Sequence, residues 1–315
     1  MVGERAGCVA LKNLVAVTRP NFFPLAIVIV VAAVAAAFYA HHTFNGVDAT
    51  LVLVGAILLH ASVNSYNNYF DYRSKIDHKT FKTPFSGGVA LIVKGDVKPS
   101  AAFAVASICL LGAALIGVYF LIRFFVLVLP MMIFGAIAIV LYSPILSKVP
   151  ALSEILAGIG FGMMGLGTYV TQTGVIDAAG ISIFVPVTIL VALLLFLNEF
   201  PDSEIDDLAG RRHLVILLGK RRSALVYVAG LVGTYVSILI SIAVKAAPPA
   251  VLVALLTIPI AYKAGRLTVQ NYDRTAEMVP ALGTNVLLIL LTILLLAVGF
   301  TIGIYVSFLS FPIFA

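Results

Sequence analysis

The chain has 315 residues, 62% of them hydrophobic and 11% charged, with a mean hydropathy of +1.12 and a formal net charge of +6. Soluble domains keep their apolar share nearer half and their charged share near a quarter, so these values exclude one and indicate an all-α integral membrane protein. Cys8 and Cys109 are too few for a disulfide framework or a cysteine metal site, and no interleaved basic and aromatic stripe points to nucleic acid.

Apolar runs of about 17 to 25 residues are long enough to cross a bilayer as helix. They fall at roughly 22–41, 50–70, 101–122, 124–144, 152–173, 180–198, 223–244, 248–263 and 281–308, which predicts nine spans. The first run lacks a small-residue cleavage pattern and reads as a retained helix rather than a signal peptide. Assigning the connecting loops alternately to the two sides puts 18 of the 20 Lys and Arg residues together, leaving only Arg123 and Lys245 opposite. Basic residues collect on the cytoplasmic side, so the amino terminus and the basic loops 71–100 and 199–222 are expected there, in a multi-pass protein of the cell membrane. The positive charge suits anionic lipid headgroups and anionic substrates alike.

Two polar segments interrupt this pattern where a span meets a basic loop. The first is Asn67-Asn68-Tyr69-Phe70-Asp71, running on to Asp77; the second is Asn198-Glu199-Phe200-Pro201-Asp202, running on to Asp206. Carboxylates are costly near hydrocarbon, so two matched sets imply a charged task. In the second segment Asn198, Asp202 and Asp206 are spaced i, i+4, i+8, and each step turns a helix by only about 40°. All three line one face. Asn67 and Asp71 share a face in the same way, with Asp77 reaching back from the loop. Oxygen-only donors suit magnesium, which takes one or two carboxylates plus phosphate oxygens and water. Facing each other, the segments would hold two Mg2+ ions bridging a diphosphate. Pro201 lacks a backbone donor and is expected to kink or end its helix.

The segments recur 131 residues apart, at Asn67 and Asn198, each closing an even-numbered span. That spacing predicts two four-helix halves and an appended ninth helix around a central cavity, as one domain over 1–315. Several residues carry a plainer expectation. His60 reads as an interior histidine, Tyr66 and Asn64 as an extension of the polar wall, and Gly158, Gly160, Gly162, Gly165 and Gly167 as close helix packing.

The pattern Asn67-x-x-x-Asp71-x-x-x-x-x-Asp77, with Asn67-Asn68-Tyr69-Phe70-Asp71-Tyr72, resembles the first aspartate-rich motif of the UbiA superfamily of membrane prenyltransferases. Its six-residue gap is similar to the menaquinone-type branch, whose acceptor is 1,4-dihydroxy-2-naphthoate. Asn198-x-x-x-Asp202-x-x-x-Asp206-x-x-x-Gly210, followed by His213-Leu214-Val215-Ile216-Leu217-Leu218-Gly219, resembles the second motif. The departures are Glu199 and Pro201 inside that motif and Arg211-Arg212-His213 after it.

The resemblance implies Mg2+-assisted loss of diphosphate from an allylic isoprenoid such as geranylgeranyl diphosphate, giving a carbocation that an aromatic acceptor attacks, as in quinone biosynthesis. Geranylgeranyl transfer to a glycerol-phosphate ether alcohol is the alternative. It further implies Asp71, Asp202 and Tyr142 as catalytic residues. Arg19, Asn64, Arg73, Lys79, Lys82, Lys148, Arg211 and Arg212 are implied as substrate contacts, and Glu154 as a partner for a lysine or for the acceptor. A CDP-alcohol-type phosphotransferase would need one continuous aspartate motif, and a transporter would need ionisable groups near the midplane; the chain has neither.

Overall fold

The computed structural model describes residues 11–75, 90–141, 145, 148–149 and 151–309. In hydrocarbon each backbone N–H and C=O must be bonded within its own segment, and the described residues are helical with no strand among them. The helices are α1 (Phe23–His41), α2 (Gly46–Arg73), α3 (Pro99–Arg123), α4 (Phe125–Leu141), α5 (Leu152–Thr173), α6 (Ala178–Leu208), the short α7 (Leu214–Leu218), α8 (Lys220–Ala243), α9 (Ile258–Asn271) and α10 (Thr275–Leu309). A 3-10 turn, Pro20–Phe22, leads into α1, and a 3-10 segment, Pro249–Thr257, leads into α9. Prolines sit in the first turn of several of these elements, where a missing N–H costs nothing.

Seven of these elements, among the described residues, are long and apolar enough to cross a membrane. The expected run 124–144 is covered by α4, which has 17 residues. The run 152–173 is covered by α5, whose glycines, Ser153, Glu154, Thr171 and Gln172 dilute its apolar character. The short run 248–263 is longer than expected, because its 3-10 segment and α9 are continuous from Pro249 to Asn271.

Each long helix packs against the next in chain order, and α10 returns to α1. Contacts of α1 with α5 and α6 cross the interior. The main apolar core is shared by α1, α6 and α10, with Ile29, Ile183, Leu190, Ile289 and Phe300 fully enclosed. Helices α5 and α6 approach closely at Gly158, where an added Cβ would lie 2.5 Å from the carbonyl oxygen of Thr188. Gly158, Gly162 and Gly165 therefore serve close helix contact, whereas Gly160 faces open space and Gly167 has only ordinary contact with Met131.

Helices α2 and α6 are parallel. At their starts, Asn45 caps α2 and its backbone N–H donates to Gln172 Oε1 at 2.8 Å, five residues before the Asp177 cap of α6. Their far ends therefore lie at one rim of the bundle. The second motif proves to be helical rather than the start of a loop, because α6 runs on through Pro201 to Leu208. Pro201 removes one i→i−4 hydrogen bond, but the tight fit of Phe200 and Pro201, both buried, holds the helix together.

Candidate functional site

The end of α6 sets the geometry of the site. Gly210 adopts φ +80, the left-handed conformation glycine reaches without a Cβ penalty. The N–H of Gly210 donates to Asp207 O at 3.0 Å and that of Arg211 to Asp206 O at 2.9 Å, the two bonds of a Schellman cap. The cap turns the chain back on itself, so that Arg211 lies against the last turn of α6. From there its guanidinium reaches Asp206 Oδ1 at 3.1 Å and also Asp71 Oδ1, at the end of α2. All three side chains are largely shielded, at 20% exposure for Arg211, 19% for Asp71 and 5% for Asp206. One arginine thus spans both motifs, reaching an aspartate 140 residues before it in the chain.

Two asparagines on α2 anchor the segment before α1. Asn64 donates to Thr18 O at 3.1 Å and Asn68 donates to Val17 O at 2.8 Å. Asn68 also accepts a hydrogen bond from the Arg19 guanidinium at 2.9 Å. Arg19 itself holds φ 54, a left-handed backbone costing of order 1 kcal/mol or more for a non-glycine residue. Asn64 is therefore a backbone clamp rather than a wall for substrate. Asn68 was not singled out from the sequence, although its i, i+4 spacing from Asn64 carries the signal.

The other expected residues are placed unequally. Arg73 hydrogen-bonds Tyr69 and lies over its ring rather than beside either aspartate. Arg212 pairs with Asp207 at the surface, both more than half exposed, and Lys148 is exposed. Glu154 accepts from Leu214 N and from Ser153 Oγ, each at 2.6 Å. His60 is buried between the rings of Phe23 and Phe161, as an interior histidine. Asp77, Lys79, Lys82 and Tyr142 lie outside the described residues.

Asn67 and Asp71 stand in the last two turns of α2, and Asn198, Asp202 and Asp206 in the last three turns of α6, with the guanidiniums of Arg19 and Arg211 beside them. Asn198 Oδ1 is buried and makes no hydrogen bond, an orphaned acceptor of the kind a bound cation satisfies. All-oxygen donors fit a hard divalent cation, and the two arginines fit phosphate oxygens.

Comparison with known proteins gives the family of the chain. A curated relative, the 1,4-dihydroxy-2-naphthoate octaprenyltransferase of Bacillus subtilis (strain 168), is 26% identical over 230 residues, which is 70% of this chain and 70% of the relative. Among solved structures, one of digeranylgeranylglyceryl phosphate synthase in membranes aligns with a TM-score of 0.60 at 15% identity, covering 93% of this chain and 99% of that one. A UbiA homolog from Archaeoglobus fulgidus bound to GPP and Mg2+ aligns with a TM-score of 0.55 at 14% identity, covering 90% of this chain and 99% of that one. The sequence profile of the UbiA prenyltransferase family matches residues 27–286, and the chain belongs to that family.

Proposed function

We propose that the rim where α2 and α6 end is the active site of an intramembrane prenyltransferase, which moves an isoprenyl group from an allylic diphosphate to an aromatic acceptor. The observation that carries this reading is Arg211 held by Asp71 and Asp206 together. It brings both motifs within the reach of one diphosphate. The A. fulgidus homolog bound to GPP and Mg2+ supports the donor, and the naphthoate octaprenyltransferase supports the acceptor class.

Asp71, Asp202 and Asp206, with Asn67 and Asn198, would hold Mg2+, as two ions; Asp77 would complete the set. The bound cation supplies neutralisation of charge on the departing diphosphate. Arg211 and Arg19 would add charge-assisted hydrogen bonds to its oxygens, and Arg73, Lys79, Lys82, Lys148 and Arg212 would contribute further positive charge. The allylic C–O bond breaks with its electron pair leaving on diphosphate, the electron-rich acceptor attacks the cation, and the attacked ring carbon then sheds its own substituent, a proton or a carboxylate as CO2, whose bonding pair restores the aromatic ring. Tyr142 would stabilise the charge on that allylic carbon through its ring face.

In this account the nine helices span the membrane as one domain over 1–315, in two four-helix halves plus α10, around a central cavity. The grouping of Lys and Arg places the amino terminus and the site on the cytoplasmic side. The synthase neighbour favours a second reading, transfer to a glycerol-phosphate ether alcohol. Purified protein incubated with labelled geranylgeranyl diphosphate and a panel of acceptors separates the two. Label should enter 1,4-dihydroxy-2-naphthoate; incorporation into the glycerol ether alone overturns the aromatic assignment, and incorporation into neither overturns both.

A further inference from the structure

Beside the aspartate row lies a buried cluster that prenyl transfer leaves without a task. Glu154 comes from the first turn of α5, Glu199 from α6, and His213 from the turn between α6 and α7. They are 2%, 7% and 2% exposed, and one donor atom from each lies within 4.8 Å of the others. Glu199 stands at i, i+7 from Asp206, within about 20° of it around the helix, so the cluster borders the aspartate row on its Asp206 side.

We propose that Glu154, Glu199 and His213 form a second metal site, for a divalent transition-metal ion of zinc or manganese type. Glu199 Oε2 makes no hydrogen bond, and neither does either ring nitrogen of His213. His213 Nδ1 lies 3.6 Å from Glu199 Oε2, longer than a hydrogen bond. It is close to the ~3.4 Å that separates two ligands of a tetrahedral ion at zinc-to-ligand distances.

The outer partners of such a site are also in place. Leu214 N–H and Ser153 Oγ–H hold the two oxygens of Glu154. Asp206 Oδ2 stands 3.4 Å from His213 Nε2, the carboxylate behind an imidazole that fixes the orientation of ligating histidines. Two carboxylates and a neutral imidazole balance a divalent ion, whereas unpaired carboxylates buried this deeply are costly. The nitrogen donor selects a transition metal over Mg2+.

Asp206 joins the two sites, with Arg211 on Oδ1 and His213 on Oδ2. The ion therefore pins the start of α5 to the turn that carries Arg211. It is a positioning element for the aspartate rim, and the proposal stands independently of the prenyl-transfer reading.

Metal analysis of the full-length protein, purified in detergent without chelator and exchanged into Mg2+ buffer, is the test. A stoichiometric transition metal is expected, lost in Glu199→Gln and His213→Ala and retained in Asp71→Ala. Because the first two variants could fail to fold, the chelator-treated wild type is titrated with Co2+. Saturable visible bands of nitrogen- and oxygen-coordinated Co2+, with a rise in unfolding temperature that Mg2+ does not give, support the site. Metal-free protein with no saturable Co2+ spectrum overturns it, and leaves Glu154 and Glu199 sharing a proton. Metal lost in Asp71→Ala but kept in His213→Ala also overturns it, and assigns the ion to the aspartate motifs.

Discussion

The two rims of the bundle treat charge in opposite ways. At the rim where α2 and α6 begin, Asp48 is 1% exposed and is gripped by Arg123 at 2.7 and 2.6 Å and by Tyr119 at 3.0 Å. At the same rim Asp177 accepts from His41 and Tyr169, each at 2.7 Å, and from the N–H groups of Ala179 and Gly180. Every acid there has its own donors. At the rim where the same helices end, Asp71 and Asp206 share one guanidinium, and Asn198, Glu199 and His213 carry buried atoms with no hydrogen bond. Buried polar groups in a finished structure are matched; a surplus of donors to a cation, held at one end only, marks the working end. Substitutions at the first rim should cost stability, and those at the second should cost turnover.

The largest expected effect is on catalysis. Asp71→Ala and Asp202→Ala should each lower kcat at least ~10²-fold, the scale of losing a charge-stabilising group in a transition state. Unfolding temperature in detergent should stay near the wild-type value. Near-normal turnover in both would dissolve the contrast between the rims.

At the opposite end, Arg123→Ala leaves the Asp48 carboxylate buried without its cation. A fully buried pair would lose about 3–5 kcal/mol. Arg123 is 38% exposed, so water shares the load and a loss of about 2 kcal/mol is expected. Thermal unfolding reads the loss, and turnover per folded molecule should not change.

Helix contact gives a comparable test away from both rims. Gly158→Ala forces a methyl against the Thr188 carbonyl and should cost about 1–3 kcal/mol, again without altering the donor KM.

Arg211→Ala sharpens the reading of the motif rim. Removing the cation that Asp71 and Asp206 share should tighten Mg2+ binding about tenfold when no diphosphate is present, while raising the donor KM. Weaker Mg2+ binding would make Arg211 a structural brace alone.

The smallest effect is on pH dependence. Burial pushes the Asp177 carboxyl up, but the hydrogen bonds of His41, Tyr169 and Gly180 outweigh it and hold it below the usual carboxylate range. A depressed folded-state value gives stability that is full above the unfolded value of about 3.9 and is lost as pH falls through the folded one. The stability difference between wild type and Asp177→Asn should therefore shrink below about pH 4, as followed by acid unfolding.

Much of this was legible in the chain. Hydropathy marked where the long helices fall, since each must satisfy its own backbone in hydrocarbon. The i, i+4 spacing of Asn67 with Asp71 and of Asn198, Asp202 and Asp206 announced two acidic helix faces. The continuation of α6 through Pro201 was not legible, because local propensity argues for a break and only the buried fit around Phe200 overrides it. The pairing of Arg211 with Asp71 depends on how two helix ends meet, which spacing does not encode, although Gly210 signalled the turn that makes it possible. Arg73 and Arg212 have the charge of a diphosphate contact, yet each finds a nearer partner, Tyr69 and Asp207 respectively. The proximity of Glu154 to Glu199 and His213 likewise arises from tertiary contact alone.

The central claim is that the ends of α2 and α6 form one cation-dependent diphosphate site. Calorimetric titration of geranylgeranyl diphosphate into the purified protein, with and without Mg2+, tests it most directly. The account predicts binding that requires Mg2+ and disappears in Asp71→Ala and in Asp202→Ala alike; binding without Mg2+, or binding that survives loss of either aspartate, would contradict it.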